Sequence, residues 1–215
     1  MKKNVKLIGI GSIARVGKDF LADMLIEEFS KRGLVAKKYA LANALKKFCE
    51  LFLKEKLGID VWTNDSQQKS QFRDFLVWYG KQKREITNGT HWTKITEKEI
   101  INDATDVLFD TGKDLYAIVT DVRYFDPRFS NDEVCWVKES MGGILINLMR
   151  VDNDGNLINP ANDEEKANMG RVAEVADFEL LWETVDGDKE KEINLGKKYV
   201  SPLCDEIEAF FKVKK

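Results

Sequence analysis

Residues 6–29, KLIGIGSIARVGKDFLADMLIEEF, pass from an apolar run through a turn into an amphipathic helix, and no other stretch limits the chain as much. Val5, Leu7, Ile8 and Ile10 lack the polar alternation of a half-exposed strand, which predicts a strand buried on both faces of a parallel sheet. After the turn, Leu21, Met24, Leu25 and Phe29 fall at i, i+3, i+4 and i+8, one face of an α-helix, and Gly33 closes it. A strand, a tight turn and a helix in that order aim backbone N–H groups and the positive end of a helix dipole at one point. Such a point attracts an anion.

The turn itself supports a phosphate-binding loop. Backbone N–H groups of residues 13–19 are expected to converge on phosphate: Ala14, Arg15, Val16, Gly17, Lys18, Asp19 and Phe20 follow Ser12, and Lys18 adds a point charge between the β- and γ-phosphates. Against the pattern G-x-x-x-x-G-K-[ST] two positions depart. Ser12 stands for the first glycine, and Asp19 for the hydroxyl that takes magnesium.

With 215 residues, 43% of them hydrophobic, the chain can bury one sizeable core, and one domain is expected. Cys49, Cys135 and Cys204 are odd in number and lack metal-ligand spacing, which suits packing in a reducing cytosol. Met1-Lys2-Lys3-Asn4 leads straight into the first strand, and no apolar run reaches the ~20 residues of a membrane span. A soluble cytoplasmic protein without a membrane partner is therefore expected. A net charge of −3 argues against a nucleic-acid partner, which would need a basic face, while small anions remain suitable ligands. Nothing in the length or charge sets an oligomeric state.

The rest of the chain alternates apolar runs with helical patterns, the signature of a parallel α/β protein. Strands are predicted at 36–41, 116–120, 144–151 and 178–182. Helices are predicted at 42–57, 67–85, 93–109, about 132–141 and 202–213. The polar stretch 152–175 is too long for an ordinary connection and reads as a lid. Five strands with the loop after the first give a three-layer α/β P-loop NTPase fold with a small lid, ligands lying at the carboxyl ends of the strands. Asp121, at the end of the third strand, either holds magnesium waters or caps a turn or helix. Within 67–85, Arg73 and Arg84 share a face three turns apart, about 16 Å along an unbroken helix. Gly80 is a poor helix residue, so a break there is expected to swing Arg84 inward.

Gly17-Lys18-Asp19-Phe20, Tyr39-Ala40-Leu41-Ala42, the Arg73–Arg84 segment, Asp121-Val122-Arg123 and Asp177-Phe178 occur in the same order as in bacteriophage deoxynucleoside monophosphate kinases, which the chain resembles. The animal phosphomevalonate kinases are also similar, chiefly over Lys18-Asp19-Phe20, Phe72-Arg73 and Trp78–Arg84. There the aspartate of the third strand precedes two arginines, whereas here Arg123 precedes Tyr124, as in the phage pattern. The resemblance implies transfer of phosphate from ATP to a deoxynucleoside monophosphate, in the host cytoplasm if the protein is phage-encoded. Kinase action on another phosphorylated acceptor is the alternative, and a non-catalytic nucleotide-binding module a second.

By this resemblance Lys18, Asp121 and Arg123 serve catalysis, and Lys46, Arg73, Arg84 and Arg123 take the acceptor phosphate. Arg150 and Arg171 border or occupy the lid, and Trp78, Tyr79, His91 and Trp92 bracket the acceptor region, Trp78 among its binding residues. Mg²⁺ is the implied cofactor. Asp19 and Asp121 are expected to surround it, directly or through its waters, the rival for Asp19 being a role at the helix N-terminus alone.

Overall fold

The computed structural model describes residues 4–63, 65–126, 128–129, 131–160, 163–185 and 187–213. Residues 1–3, which carry part of the expected leaderless start, lie outside the described residues. Five strands, β1 (Val5–Gly11), β2 (Val35–Tyr39), β3 (Leu115–Val122), β4 (Ile144–Val151) and β5 (Phe178–Glu183), form one sheet in the order β2-β3-β1-β4-β5. Every neighbouring pair is parallel. β1 is central, flanked by the two strands that come third and fourth in the chain, so its carboxyl end opens where the connections diverge to either side.

The strand side chains alternate between two apolar layers. Ile8, Ile10, Tyr116, Ile118, Ile144, Ile146 and Leu148 face helices α1 (Lys18–Lys31), α7 (Lys189–Leu195, continued as π-helix over Gly196–Val200) and α8 (Ser201–Val213). On the opposite face Leu7, Leu115, Ala117, Val119 and Leu145 pack against α2 (Leu41–Leu57), α4 (Thr90–Thr111) and the short α5 (Glu133–Cys135, continued as π-helix over Trp136–Ser140). The result is a three-layer α/β fold of P-loop NTPase type. Among the described residues no helix is long and apolar enough to cross a membrane.

Helix α3 (Ser66–Ile86) leans on α2 through Cys49, Leu53, Phe72 and Leu76, outside the sheet layers. It does not break at Gly80, contrary to the expectation from sequence. A Cβ at Gly80 would stand 3.2 Å from Leu45 Cδ2, and the Gly80 carbonyl accepts a hydrogen bond from Trp92 Nε1 at 3.1 Å. Glycine leaves room there for Leu45 of α2, and its carbonyl is held by Trp92 of α4, tertiary contacts that accompany a continuous helix despite glycine's weak helix propensity.

Two further features concern the C-terminal half. The stretch 152–175 is a tight turn around Asp152, whose carboxylate accepts from Asp154 N and Asn156 N, followed by helix α6 (Asp163–Glu174). Val172 of α6 is buried in the sheet core, so this end of the stretch is anchored. Helix α7 has no counterpart among the sequence expectations. Its sequence, KEKEINL, presents few apolar residues, and its start is set by Asp188 accepting from Glu190 N and Lys191 N.

Candidate functional site

The turn between β1 and α1 wraps back on itself through three residues with positive φ: Ser12 (128°), Arg15 (68°) and Gly17 (92°). Gly17 is the left-handed N-cap of α1, and its carbonyl accepts the first helical bond, from Leu21 N at 2.9 Å. β5 supports the loop from the side: Trp182 Nε1 donates to the Val16 carbonyl at 3.0 Å, and Phe20 packs against the same indole at 5.7 Å between ring centroids. Lys18 is 7% exposed and folds back over the loop, donating to the carbonyls of Ser12 (3.1 Å) and Ile13. Burial, then the Arg123 charge, pulls its pKa down to about 8, against the pull of Glu165, Asp121 and Asp19. The lysine is thus held by carbonyl oxygens of the loop itself.

Next to the loop, β3 delivers Thr120 and Asp121, and the turn that follows it delivers Arg123. Thr120 Oγ1 donates to Asp19 Oδ1 at 2.9 Å, tying the start of α1 to β3. Asp121 is the cap of α2: its two carboxylate oxygens accept from Leu41 N and Ala42 N, each at 2.7 Å. Burial pushes its pKa up while these two bonds pull it down. Of its two expected roles, helix capping is the one its contacts display, across to the helix after β2. Asp19 is exposed at the mouth of the loop, and its contact runs to β3.

For Mg²⁺ these groups supply hard oxygen donors, but among the described residues no group of three or more ligating side chains is assembled. Both Asp121 oxygens already accept N–H groups, and of the two aspartates Asp19 alone is exposed, so a magnesium ion here would draw most of its oxygen ligands from elsewhere.

A cleft of about 390 Å³ opens beside Asp121 and Arg123. One wall is α2 (Leu41, Ala42, Leu45, Lys46), another α3 (Lys69, Phe72, Arg73, Leu76, Val77, Gly80, Lys81, Arg84), and Trp92, Tyr124 and Glu133 complete it. Six cations therefore face one hollow, with Asp121 and Glu133 as its carboxylates. Arg84 is 7% exposed, its guanidinium lies 3.4 Å over the Tyr124 ring, and its Nε makes no hydrogen bond among the described residues. Arg73 is exposed on α3 three turns earlier, so the two arginines serve different parts of the cleft. Glu133 Oε2 accepts from Arg123 N (2.7 Å) and Tyr124 N (3.1 Å), fixing the turn that aims both side chains. Burial raises the Glu133 pKa to about 7, against the pull of Arg84 and these N–H groups. A second hollow of about 190 Å³ continues from Arg84 and Tyr124 to Asp126, Arg128, Asn168 and Arg171.

Of the residues anticipated from sequence, Lys46, Arg73, Arg84, Arg123 and Asp121 share the main cleft, and Arg171 lines its extension. Trp78 is not part of either hollow. It is 58% exposed on the outer side of α3 and neighbours Phe75, because successive α3 residues turn by 100° and the cleft takes the Phe72-Arg73-Leu76-Val77 face. Tyr79 stacks between Phe48 and Phe75, while His91 meets Trp92 edge-on. Arg150 sits on β4 beside Trp182, outside both hollows.

Sequence reasoning missed Tyr124, Glu133, Lys69, Lys81, Trp182 and Glu165. The first two follow Arg123 and Asp132 closely enough for the turn after β3 to have flagged them. The others belong to elements whose faces only packing defines. No protein-family model matches the chain, and no curated protein matches it in sequence.

Proposed function

We infer that the protein moves the γ-phosphoryl group of ATP to a small phosphorylated acceptor, and that a (deoxy)nucleoside monophosphate is the acceptor its cleft suits. The observation that carries this reading is the meeting of two anion-attracting surfaces at Arg123: the loop around Lys18 on one side, and the cationic cleft with Arg84 and Arg73 on the other. Of the aromatic rings that line the cleft, Phe72 and Trp92 are each 4% exposed, so the half-buried Tyr124, with Arg84 over its ring, is the one a nucleobase could meet.

In the reaction the bond from the γ-phosphorus to the β,γ-bridging oxygen breaks, and a bond forms to an oxygen of the acceptor phosphate. ADP and a diphosphate leave. Such chemistry needs alignment and charge neutralisation more than a nucleophilic side chain. Lys18 and the loop N–H groups hold the donor phosphates. Arg123 faces the developing charge between donor and acceptor, and Arg84 grips the acceptor phosphate. Mg²⁺, when bound with ATP near Asp19, supplies further neutralisation of the phosphate oxygens. The three free cysteines fit a reducing cytoplasm.

An ADP-release assay over deoxynucleoside and ribonucleoside monophosphates and phosphomevalonate tests the reading. Release that depends on a deoxynucleoside monophosphate is expected. Preference for phosphomevalonate would replace the acceptor, and ATP binding without release on any acceptor would leave a non-catalytic module.

A further inference from the structure

Helix α6 brings a carboxylate into the place where the two anion-attracting surfaces meet. Glu165 Oε2 accepts from the Ala14 N–H at 3.1 Å, and its Oε1 accepts from Arg123 Nη1 at 2.9 Å. The Glu165 side chain is 9% exposed, against 38% for Arg123. Of the carboxylates that pull on the Lys18 ammonium, Glu165 pulls hardest. One anionic group thus touches a loop N–H and the arginine at the head of the acceptor cleft, and acts on the loop lysine through space. Two oxygens on one centre, held by a backbone N–H and a guanidinium, form the contact pattern of a bound phosphoryl group.

The far end of α6 is fixed. Val172 is 1% exposed, and a Cβ at Gly11 would stand 2.7 Å from Val172 Cγ1, so the helix rests directly on the last residue of β1. With α6 held there, Glu165 can leave the site by turning its own side chain away, without displacement of the helix end at Val172. The single Ala14 N–H cannot be given fully to the carboxylate and to a nucleotide phosphate at once, and two anions brought together beside it repel each other.

We propose that Glu165 is an internal surrogate for the transferring phosphoryl group: it marks the position between Ala14 and Arg123 where that group sits, and it must be displaced before ATP binds. This inference rests on the phosphotransferase reading above. The resting protein then competes with its own nucleotide, and the affinity measured for wild type is lowered by the fraction of molecules in which Glu165 occupies the site.

The test is calorimetric titration of wild type, Glu165→Gln and Glu165→Ala with magnesium AMP-PNP, a non-transferable ATP analogue, with melting curves to confirm that each chain is folded. Glutamine keeps the shape and removes the charge; alanine removes both contacts. Both variants are expected to bind at least about fivefold more tightly than wild type, as release of an occupied site requires. Equal affinity in all three chains would overturn the surrogate while leaving a nucleotide-binding protein. Weaker binding in the variants would also overturn it, since Glu165 would then assist the nucleotide. If no chain binds the analogue, the phosphotransferase reading fails first and the surrogate with it.

Discussion

Trp182 and Val16 are joined across 166 residues of sequence by one hydrogen bond of 3.0 Å, indole N–H to carbonyl, and the same ring lies 3.0 Å from where a Cβ on Gly17 would stand. The edge strand thereby props the loop that begins in the central strand. Trp182→Phe keeps an aromatic ring and removes the donor, leaving a buried carbonyl unpaired. The expected loss is about 1–2 kcal/mol of stability by urea unfolding, with a rise in the KM for ATP and little change in that for the acceptor. An unchanged KM for ATP would show that the loop holds its shape without this support.

Ser12 occupies the position where the phosphate-loop pattern has glycine, and its φ of 128° is one that L side chains rarely adopt. The departure visible in the sequence is met by backbone strain, not by a different loop. Ser12→Gly should raise stability, by about 1 kcal/mol if local strain outweighs the entropy that glycine adds to the unfolded chain. A lower melting temperature would mean that the Ser12 side chain contributes more than its backbone costs.

Lys18→Ala is expected to lower turnover by at least about 100-fold, the usual scale for removing one preorganised charge at a transition state. Stability should hold or rise, because burial already disfavours the Lys18 charge and brings its pKa to about 8. Circular dichroism melting and ADP release, measured on the same preparation, separate the two effects. Near-normal release would end the phosphate-loop reading.

The two arginines of α3 should behave differently. Arg84→Met removes a buried guanidinium that has an unused Nε donor over Tyr124, and a rise of about tenfold or more in acceptor KM is expected, with the KM for ATP unchanged. Arg73→Met, at an exposed position, should raise it less. Equal effects would imply that the acceptor extends along the whole cleft.

Glu133 gives a pH dependence. Its carboxyl titrates near 7 in the folded protein, above its ordinary 4.5, chiefly through burial. The folded chain thus keeps a proton that the unfolded chain releases, so this group's contribution to stability is full below 4.5 and is lost as the pH rises through 7. Glu133→Gln retains an oxygen for Arg123 N and Tyr124 N without the charge. Urea midpoints at about pH 5 and pH 8 should fall between those values in wild type, and fall less in the variant.

Much of the sheet and the loop could be read from residue order because both depend on local pattern: the apolar run of β1, the i, i+3, i+4 face of α1 and the exact span of β4. Gly80 misled for the opposite reason. Its helix propensity is local, but the close contact with Leu45 that it accommodates comes from another helix. Asp121 was placed correctly at the carboxyl end of β3, yet which N–H groups it would meet depended on where α2 begins. Glu165 was hidden in a polar stretch that resembled solvent-facing chain, and only the approach of α6 to the loop gives it partners.

The central position of β1 also bears on how the protein is made. Lys6 and Tyr116, on adjoining strands, are 110 residues apart, and β4 comes later still. While the first hundred residues leave the ribosome, β1 has no strand beside it, and the apolar faces of β1 and α1 remain without the sheet that will cover them. The sheet cannot begin to close until β3 emerges, and β1 gains its second neighbour only with β4. Long-range parallel pairing of this kind folds slowly and leaves sticky intermediates. During synthesis the first half of the chain is therefore the part most in need of protection from its neighbours.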